Sequence, residues 1–282
     1  MTRIPHRVAV LGGGRMGAGI AHAFLVVGCD VVVRETDSQR AGAAAERVEK
    51  SVGIATERGT IAESWDDVAR RLHTVTGLDA LADRELVIEA VPEHIELKAE
   101  VLAAAEDAVS GSCVLATNTS SLSIDTLAGA LRAPARFIGL HFFNPVPASG
   151  LVEIVNGTRT DAQLSADAVT WVSTLGKSAV SVRDSPGFAT SRLGVVIALE
   201  AMRMLEEGVA SAADIDTAMK LGYKHPVGPL ALTDIVGLDV RLDIADHLAA
   251  TLGPRFEPPQ ILRDLVGQGY TGRKAGRGFY KY

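Results

Sequence analysis

At the start of the chain, short apolar runs alternate with a segment of helical periodicity. Arg7–Leu11 is a short apolar run typical of a buried strand, and a helical pattern begins at Ala18 and ends at Gly28. A second apolar run follows at Asp30–Arg34. The pattern therefore predicts a strand, a helix and a second strand in succession.

The same alternation continues to residue 182. Further strands are predicted at His73–Thr76, Leu86–Ala90, Val114–Thr117, Arg136–Leu140, Leu151–Val155 and Ser178–Val182. Helices are predicted at 38–59, with Ser38 as N-cap, and at 62–72, His94–Val109, Ser123–Leu131 and Asp161–Leu175. Because strands that alternate with helices form parallel sheets covered on both faces, this half predicts a parallel, doubly wound sheet.

After Asp184–Gly187 the pattern changes to helices alone. They are predicted at Ser191–Glu207, at 211–222 behind a capping box that runs from Ser211 to Asp214, at Leu230–Leu252 and at Pro259–Gly267. The domain boundary is therefore placed at Pro186. Spare apolar faces of these helices favour a homodimer formed through this domain.

A glycine cluster lies in the turn after the first strand. Gly12, Gly14 and Gly17 fit the pattern G-x-G-x-x-G, and the residues between them are Gly13, Arg15 and Met16. The first glycine permits a tight turn, the second admits a pyrophosphate, and the third lets the helix pack closely on its strand. The helix N-terminus adds N–H groups and a positive dipole end. This motif predicts that the six residues bind a dinucleotide.

An acidic residue follows at the end of the second predicted strand. Glu35 comes 18 residues after Gly17, a spacing at which a carboxylate accepts the ribose hydroxyls of NAD. It would repel the 2′-phosphate of NADP, although Arg34 offsets part of that repulsion. The sequence thus predicts NAD as cofactor.

The predicted fold class is α/β, with a Rossmann-like doubly wound sheet in 1–185 and an all-α domain in 186–282.

Composition excludes several classes of protein. A length of 282 residues with 47% hydrophobic and 22% charged residues is typical of an ordinary globular chain of one or two domains. The net charge of -6 argues against a nucleic-acid partner, and no apolar run approaches the ~18 residues of a membrane span. Met1–Arg7 lacks the apolar region of a signal peptide. Cys29 and Cys113 are expected to be buried thiols, with neither a disulfide framework nor a metal site. The expected location is the cytoplasm.

Several motifs together resemble the 3-hydroxyacyl-CoA dehydrogenase family, including its 3-hydroxybutyryl-CoA dehydrogenases. The resemblance covers the chain and rests on Gly12–Gly17, Ala116–Ser121, His141–Pro145, Leu151–Glu153, Asp184–Phe188, Asp214–Gly222, His225–Pro229 and Gly272–Tyr280. It implies a Rossmann-like domain, a dimerising helical domain, and NAD-dependent oxidation of short (S)-3-hydroxyacyl-CoA thioesters to 3-oxoacyl-CoA, or the reverse.

His141 and Glu153 are the candidate proton-transfer pair. Oxidation of a secondary alcohol requires a base for the hydroxyl proton, and histidine is suited to that task. Glu153 lies 12 residues on, in the next predicted strand, where it can return beside His141 and stabilise the imidazolium. Without the family motif, such a pair is more often structural. By resemblance, Ser120 hydrogen-bonds the substrate oxygen; it also fits an N-cap for the helix near Ser123.

Other roles are implied by the resemblance alone. Glu93, Lys98, Ser120, Asn144 and Lys274 match NAD-contacting positions, and Ser51 and Arg58 match positions that bind CoA. Taken singly, Lys98, Arg58 and Lys274 also fit solvated surface charges.

The chain departs from the family at two places. Ser191 replaces an asparagine found in many relatives, so we expect it to hold the substrate oxygen through a water or to face a differently shaped substrate. The loop Pro147–Gly150 lacks their Met-Lys pair.

Other functions remain open at this point. The dehydrogenase could act on a hydroxyacyl group of a carrier protein or on a free 3-hydroxy acid, although the sequence has no basic cluster for an acidic carrier. A protein of another class would bind NAD without catalysis, and the intact His141, Glu153 and Ser120 argue against it. A flavoprotein is the least favoured alternative, because the glycine motif leads into the hydroxyacyl pattern of the family and not into a second nucleotide site.

Overall fold

The computed structural model describes residues 3–282 and contains two compact units, one extending to Ser185 and the other from Pro186 to Tyr282. Met1 and Thr2 lie outside the described residues. They are the first two residues of the predicted first domain and of the segment predicted to lack a signal peptide. None of the helices formed by residues 3–282 is long and apolar enough to cross a membrane.

The first unit is built on an eight-stranded sheet with the order β3-β2-β1-β4-β5-β6-β7-β8. Its strands are β1 (Arg7–Leu11), β2 (Asp30–Arg34), β3 (Leu72–Val75), β4 (Leu86–Glu89), β5 (Val114–Thr117), β6 (Phe137–Phe142), β7 (Leu151–Asn156) and β8 (Ser178–Arg183). Its helices are α1 (Arg15–Leu25), α2 (Ser38–Glu57), α3 (Trp65–Ala69), α4 (Ile95–Ala108), α5 (Ile124–Ala128) and α6 (Ala162–Thr174). The Rossmann-like α/β class is confirmed.

One strand pairing differs from the expected parallel sheet. β6 and β7 run antiparallel, with His141 directly opposite Glu153, whereas the other six pairings are parallel. The segment between the two strands, residues 143–150, contains no helix. A parallel crossover needs a dozen or more residues, so this short connection reverses the chain direction.

Central strands supply the core of the first unit. Val8, Val10, Val31 and Ile88 are fully buried, and they belong to a large apolar cluster of this unit that also includes residues of α1. Strands covered on both faces are expected to carry consecutive apolar residues, as β1, β2 and β4 do apart from their charged ends.

Several predicted boundaries were wrong. β6 extends to Phe142, so His141 lies inside the strand and not after it. The helix expected at 62–72 is the short α3, because Leu72 already pairs with β2. Asp37, not Ser38, is the N-cap of α2, since its carboxylate accepts the Arg40 N–H.

The second unit contains five α-helices among its described residues. They are α7 (Thr190–Glu206), α8 (Ala212–Gly222), α9 (Pro229–Val236), α10 (Leu238–Leu252) and α11 (Gln260–Gly267). The single helix expected at Leu230–Leu252 is interrupted by Gly237, whose φ of 109° lies outside the helical range. Ser211 caps α8 as predicted, accepting the Asp214 N–H. Met202, Leu230 and Leu248 lie at the centre of a separate apolar core.

Candidate functional site

The glycine turn between β1 and α1 is open toward an incoming ligand. Gly12 has a φ of 95°, which favours glycine, and a Cβ on Gly17 would lie 1.8 Å from the Gly12 carbonyl oxygen. A Cβ on Gly14 would meet nothing within 4 Å. Gly14 is also the N-cap of α1 and has no side chain to occupy the first N–H groups. The turn therefore fits the diphosphate of a dinucleotide.

Glu35 lies beside this turn. Its Oε1 accepts the Gly13 N–H at 2.6 Å, which holds the carboxylate at the end of β2 next to the glycines. Arg34 donates from Nε to the Thr76 carbonyl at 3.1 Å. Arg34, the cation that could offset a 2′-phosphate, is thus hydrogen-bonded to the backbone after β3. Of the two charged residues at the end of β2, it is Glu35 whose side chain contacts the glycine turn.

A buried ion pair ends β4. Lys98 Nζ lies 2.7 Å and 2.9 Å from the two carboxylate oxygens of Glu89, and both residues are almost completely buried. Glu89 also accepts the Thr117 hydroxyl at 2.6 Å and the Val91 N–H at 2.6 Å. With its donors and acceptors satisfied, the pair holds Lys98 at the carboxyl end of the sheet.

Glu93 connects this pair to Ser120. Its Oε2 lies 3.2 Å from Lys98 Nζ, and its Oε1 accepts the Thr119 hydroxyl at 2.5 Å and the Ser120 N–H at 2.9 Å. Burial alone would raise the pKa of Glu93. The charge of Lys98 and these hydrogen bonds outweigh burial and hold that pKa below its ordinary value. Glu93 is therefore a carboxylate at neutral pH, and the Ser120 hydroxyl lies 3.3 Å from it.

His141 and Glu153 form a second buried pair. Nδ1 of His141 lies 2.8 Å from Oε2 of Glu153, and the exposed fractions of the two residues are 7% and 0%. A carboxylate accepts only, so Nδ1 carries the hydrogen and the lone pair of the neutral ring is on Nε2. Asn118 accepts the Phe142 N–H at 2.8 Å and joins the ends of β5 and β6 beside the histidine. Such a ring can take a proton at Nε2 while the carboxylate stabilises the imidazolium.

A cavity of about 360 Å³ in the first unit brings many predicted site residues together. Those that line it are Met16, Glu93, Lys98, Ser120, His141 and Asn144. Sequence reasoning placed Ser120 as an alternative cap for α5, and that alternative is wrong: Ser123 caps the helix by accepting the Thr126 N–H. The Ser120 side chain is on the cavity wall instead.

A larger cavity, about 740 Å³, is also bordered by α1, and the two predicted CoA-binding residues, Ser51 and Arg58, line it. Four basic side chains line it, and no acidic side chain does among the described residues: Arg15, Arg47, Lys50 and Arg58. In a chain of net charge -6, this concentration of positive charge favours an anionic ligand.

His22 lies in the wall of the larger cavity. Its Nδ1 is 3.0 Å from the Ser51 hydroxyl oxygen, and only 4% of the residue is exposed. Burial, assisted by the charge of Lys177, lowers the pKa of His22 to about 4. The ring is therefore neutral at pH 7 and orients the Ser51 hydroxyl without adding charge.

The second unit carries the two remaining predicted residues. Ser191 is half-buried in the first turn of α7. Lys274 lies in the C-terminal segment, where its Nζ is 2.6 Å from Asp239 Oδ2. Their contacts with substrate and NAD stay predictions.

Sequence reasoning missed several residues of these sites. Glu89 is a carboxylate at the end of a fully buried strand, a signal that calls for a cationic partner nearby. Arg47 donates from Nη1 to the Gly13 carbonyl at 3.1 Å and joins α2 to the glycine turn. His22 had no usable signal, because its position on an apolar helix is equally typical of a structural histidine.

Comparison with known proteins agrees with this geometry. Residues 7–185 match the NAD binding domain of 3-hydroxyacyl-CoA dehydrogenase, and residues 187–282 match the C-terminal domain of the same enzymes. The chain belongs to the 3-hydroxyacyl-CoA dehydrogenase family, a family of NAD-dependent oxidoreductases. The resemblance noted in the motifs is confirmed, and NAD is confirmed as the cofactor of the first domain.

Its relatives include several bacterial proteins. A 3-hydroxybutyryl-CoA dehydrogenase of Mycobacterium tuberculosis is 42% identical over 286 residues, which cover 100% of both chains. A probable 3-hydroxybutyryl-CoA dehydrogenase of Deinococcus radiodurans is 39% identical over 98% of this chain and 100% of its own. Among solved structures, the (S)-3-hydroxybutyryl-CoA dehydrogenase PaaH1 of Ralstonia eutropha has a TM-score of 0.95 at 38% identity and covers 99% of both chains.

Proposed function

We propose that this protein oxidises short-chain (S)-3-hydroxyacyl-CoA thioesters, such as 3-hydroxybutyryl-CoA, with NAD, or catalyses the reverse reduction. The observation that carries the proposal is the buried His141–Glu153 pair. His141 lies in the wall of a cavity that is also lined by Met16 of the glycine turn. Relatives of about 40% identity named 3-hydroxybutyryl-CoA dehydrogenase support the choice of substrate.

The proton of the substrate hydroxyl is transferred to His141. Bound NAD supplies the acceptor for the hydride. Nε2 of His141 takes the hydroxyl proton, while Glu153 holds the ring in one tautomer and stabilises the imidazolium. A positioned base of this kind contributes roughly 10²–10⁴-fold to the rate. In the reductive direction the imidazolium returns the proton to the developing alkoxide.

Ser120 and Ser191 position the substrate oxygen in this proposal. The Ser120 hydroxyl is at the cavity wall, with its N–H fixed by Glu93, and can turn its hydrogen toward an oxyanion. Ser191 has a shorter reach than asparagine and supplies one hydrogen bond, through a water where needed.

Residues of the glycine turn and of the smaller cavity hold NAD. The N–H groups after Gly14 bind the diphosphate and Glu35 binds the adenosine ribose. Glu93, Lys98, Asn144 and Lys274 contact the remainder of the cofactor. Glu89 holds the Lys98 ammonium group in place, so that a positive charge stays beside Glu93.

The larger cavity binds the CoA portion. CoA carries phosphate groups and a long, mostly uncharged arm, which matches four basic residues around an apolar interior. Ser51 and Arg58 in its wall are the residues that match CoA-binding positions of the family. A free 3-hydroxy acid has no group for this cavity. The absence of a basic cluster, which the sequence predicted and which argued against an acidic carrier protein, was wrong, because folding brings four basic side chains together. These side chains line a cavity, where they match the phosphates of CoA, and a carrier-protein thioester has fewer phosphates, so the cavity favours CoA over both alternatives.

A substrate panel tests this function. We expect acetoacetyl-CoA to be reduced with a kcat/KM at least 10²-fold above that of the N-acetylcysteamine thioester or free acetoacetate, and above that of a carrier-bound acetoacetyl group. Arg58→Gln should raise KM for the CoA thioester several-fold, with little effect on the truncated thioester. Arg132→Gln, which removes an exposed arginine paired with Asp107, is the control. Equal kcat/KM values for the CoA thioester and the free acid would contradict the proposal.

We also propose a homodimer formed through the second unit and a cytoplasmic location. Exposed apolar side chains of α8 and α9, including Leu221 and Ile235, support the dimer. The two cysteines are free and buried, which fits a reducing compartment.

A further inference from the structure

The buried ammonium group of Lys98 has all its hydrogens engaged by the protein. Its Nζ lies 2.7 Å and 2.9 Å from the two carboxylate oxygens of Glu89, 3.2 Å from the Val91 carbonyl oxygen and 3.2 Å from Oε2 of Glu93. An ammonium group has three hydrogens, so these four oxygens leave none for a ligand. Lys98 lines the smaller cavity and therefore acts on a ligand there through its charge and not through a free donor.

Glu89 forms the buried base of this group. It is completely buried and is not one of the residues that line the cavity. Each contact of its carboxylate is with a donor: the Lys98 ammonium, the Thr117 hydroxyl and the Val91 N–H. An ionised carboxylate only accepts hydrogen bonds, and a buried one needs such partners to offset the cost of burial. Glu89 therefore contributes a negative charge behind the cavity wall.

The three side chains of this group have a net charge of -1. Glu89 cancels the charge of Lys98, and the carboxylate of Glu93 remains, with 37% of its side chain exposed at the cavity. Among the described residues that line this cavity, Glu93 and Lys98 are the charged ones, because the ring of His141 is neutral. The buried Glu153 behind that ring adds a further negative charge. Without Glu89, the ammonium group would cancel Glu93.

The order of the sheet puts this group at the nicotinamide half of the cofactor. Strands β2 and β4 lie on opposite sides of β1; Glu35 follows β2, and Glu89 ends β4. A cofactor with its diphosphate on the glycine turn and its adenosine ribose on Glu35 extends its nicotinamide toward β4. His141 lines the same cavity as Glu93, so hydride transfer from the substrate also requires the nicotinamide there. This placement rests on the proposed function.

The two redox forms of the cofactor differ in charge at this end. The nicotinamide ring is positively charged in NAD⁺ and neutral in NADH, whereas the rest of the molecule is the same. A negative charge near the ring therefore favours NAD⁺ over NADH, and water screens it less in a partly buried cavity than on an open surface. We propose that Glu89 is a positioning residue: by cancelling the charge of Lys98, it keeps the cavity negative and raises the affinity for NAD⁺ relative to NADH.

Binding of the two redox forms in the absence of an acyl substrate tests this proposal. The Kd of NADH is measured by its fluorescence and the Kd of NAD⁺ by calorimetry, at the same ionic strength. Glu89→Gln keeps the size of the side chain and removes its charge, so the ratio of the Kd of NAD⁺ to that of NADH should rise roughly 10-fold. A purely structural role for Glu89 would weaken both forms alike and leave the ratio unchanged.

Two further variants separate charge from packing. Glu89→Gln combined with Lys98→Gln removes both members of the ion pair and restores the net charge of the group, so the ratio should return close to the wild-type value. Glu93→Gln removes one negative charge at a partly exposed position without changing the buried pair, and it should raise the ratio as Glu89→Gln does. These two results together show whether Glu89 and Lys98 cancel, even where Glu89→Gln alone does not fold.

The same helix offers a matched control. Glu106 is a buried carboxylate near the end of α4, whereas Lys98 is near its start, and it accepts the N–H groups of Arg132 and Ala133. Glu106→Gln removes a buried negative charge far from the cavity and should leave the ratio unchanged. Thr117→Val removes one hydrogen bond of Glu89 but no charge, and the ratio should again stay at the wild-type value.

A ratio that stays at the wild-type value in Glu89→Gln overturns the proposal. So does an unchanged ratio in Glu93→Gln, or a double variant whose ratio departs from that of the wild type as far as the ratio of Glu93→Gln does. Failure of the proposed function is distinct, because the wild type would then not reduce acetoacetyl-CoA. The binding ratio is measured without that substrate and decides on Glu89 alone.

Discussion

His141 and Glu153 face each other across the one antiparallel pairing of the sheet, with Nδ1 2.8 Å from Oε2. Directly opposed residues of antiparallel strands have the shortest cross-strand side-chain separations, so the backbone register itself sets this distance. The carboxylate is fully buried, and its interaction with the imidazolium is consequently little screened by solvent.

Variants of this pair test the mechanism. We expect His141→Ala to lower kcat by roughly 10²–10⁴-fold while NAD binding persists, because the base acts mainly in the transition state. Glu153→Gln should also lower kcat, since it removes the charge that stabilises the imidazolium. The double variant should be little worse than His141→Ala alone. Turnover is measured on folded protein whose NAD affinity has been determined. Near-wild-type kcat in His141→Ala would rule out this base.

Cofactor preference tests Glu35. The carboxylate beside Gly13 should give a higher kcat/KM with NADH than with NADPH, because it accepts ribose hydroxyls and repels a 2′-phosphate. Glu35→Ser should narrow the ratio of the two values. Glu49→Ser, which removes an exposed carboxylate of α2, is the control for net charge. A wild-type preference for NADPH would contradict the assignment.

Assembly tests the apolar surface of the second unit. Leu221 is 67% exposed and Ile235 is 50% exposed, on the neighbouring helices α8 and α9. We expect light scattering at micromolar concentration to give twice the mass of one chain, and the double variant Leu221→Asp, Ile235→Asp to give one chain mass. Val169→Asp changes an exposed apolar residue of α6 in the first unit and should leave the mass unchanged. A monomeric wild type would disprove the dimer.

The acid side of the stability profile tests His22. Its pKa is about 4 in the folded protein against 6.5 for an unperturbed histidine. Between these values the unfolded chain binds the proton and the folded protein does not, so stability falls as pH decreases from 6.5 to about 4, by at most about 3 kcal/mol. Denaturant unfolding of His22→Gln should give a shallower decline over this range. His247→Gln, which removes an exposed histidine, is the control. If the free energy of unfolding of His22→Gln fell as steeply with decreasing pH as that of the wild type, the assigned role of His22 would be contradicted.

Local patterns carried most of the element assignments. Seven of the eight strands largely coincide with apolar runs, and β3 was displaced by one residue toward the N-terminus because Leu72 pairs with β2. The break at Gly237 was missed, since apolar residues continue at helical spacing on both sides and only the backbone angle reveals the interruption.

By itself the sequence determined the fold class, the glycine turn with Glu35, the family and the identities of His141, Glu153 and Ser120, because these depend on local spacing and on motifs. Tertiary structure decided what depends on distance between remote segments. It alone placed Glu89 on Lys98, turned β7 antiparallel and assembled four basic side chains around one cavity. Charges far apart in the chain carry no signal of their pairing, and whether a buried charge has a partner is a property of packing.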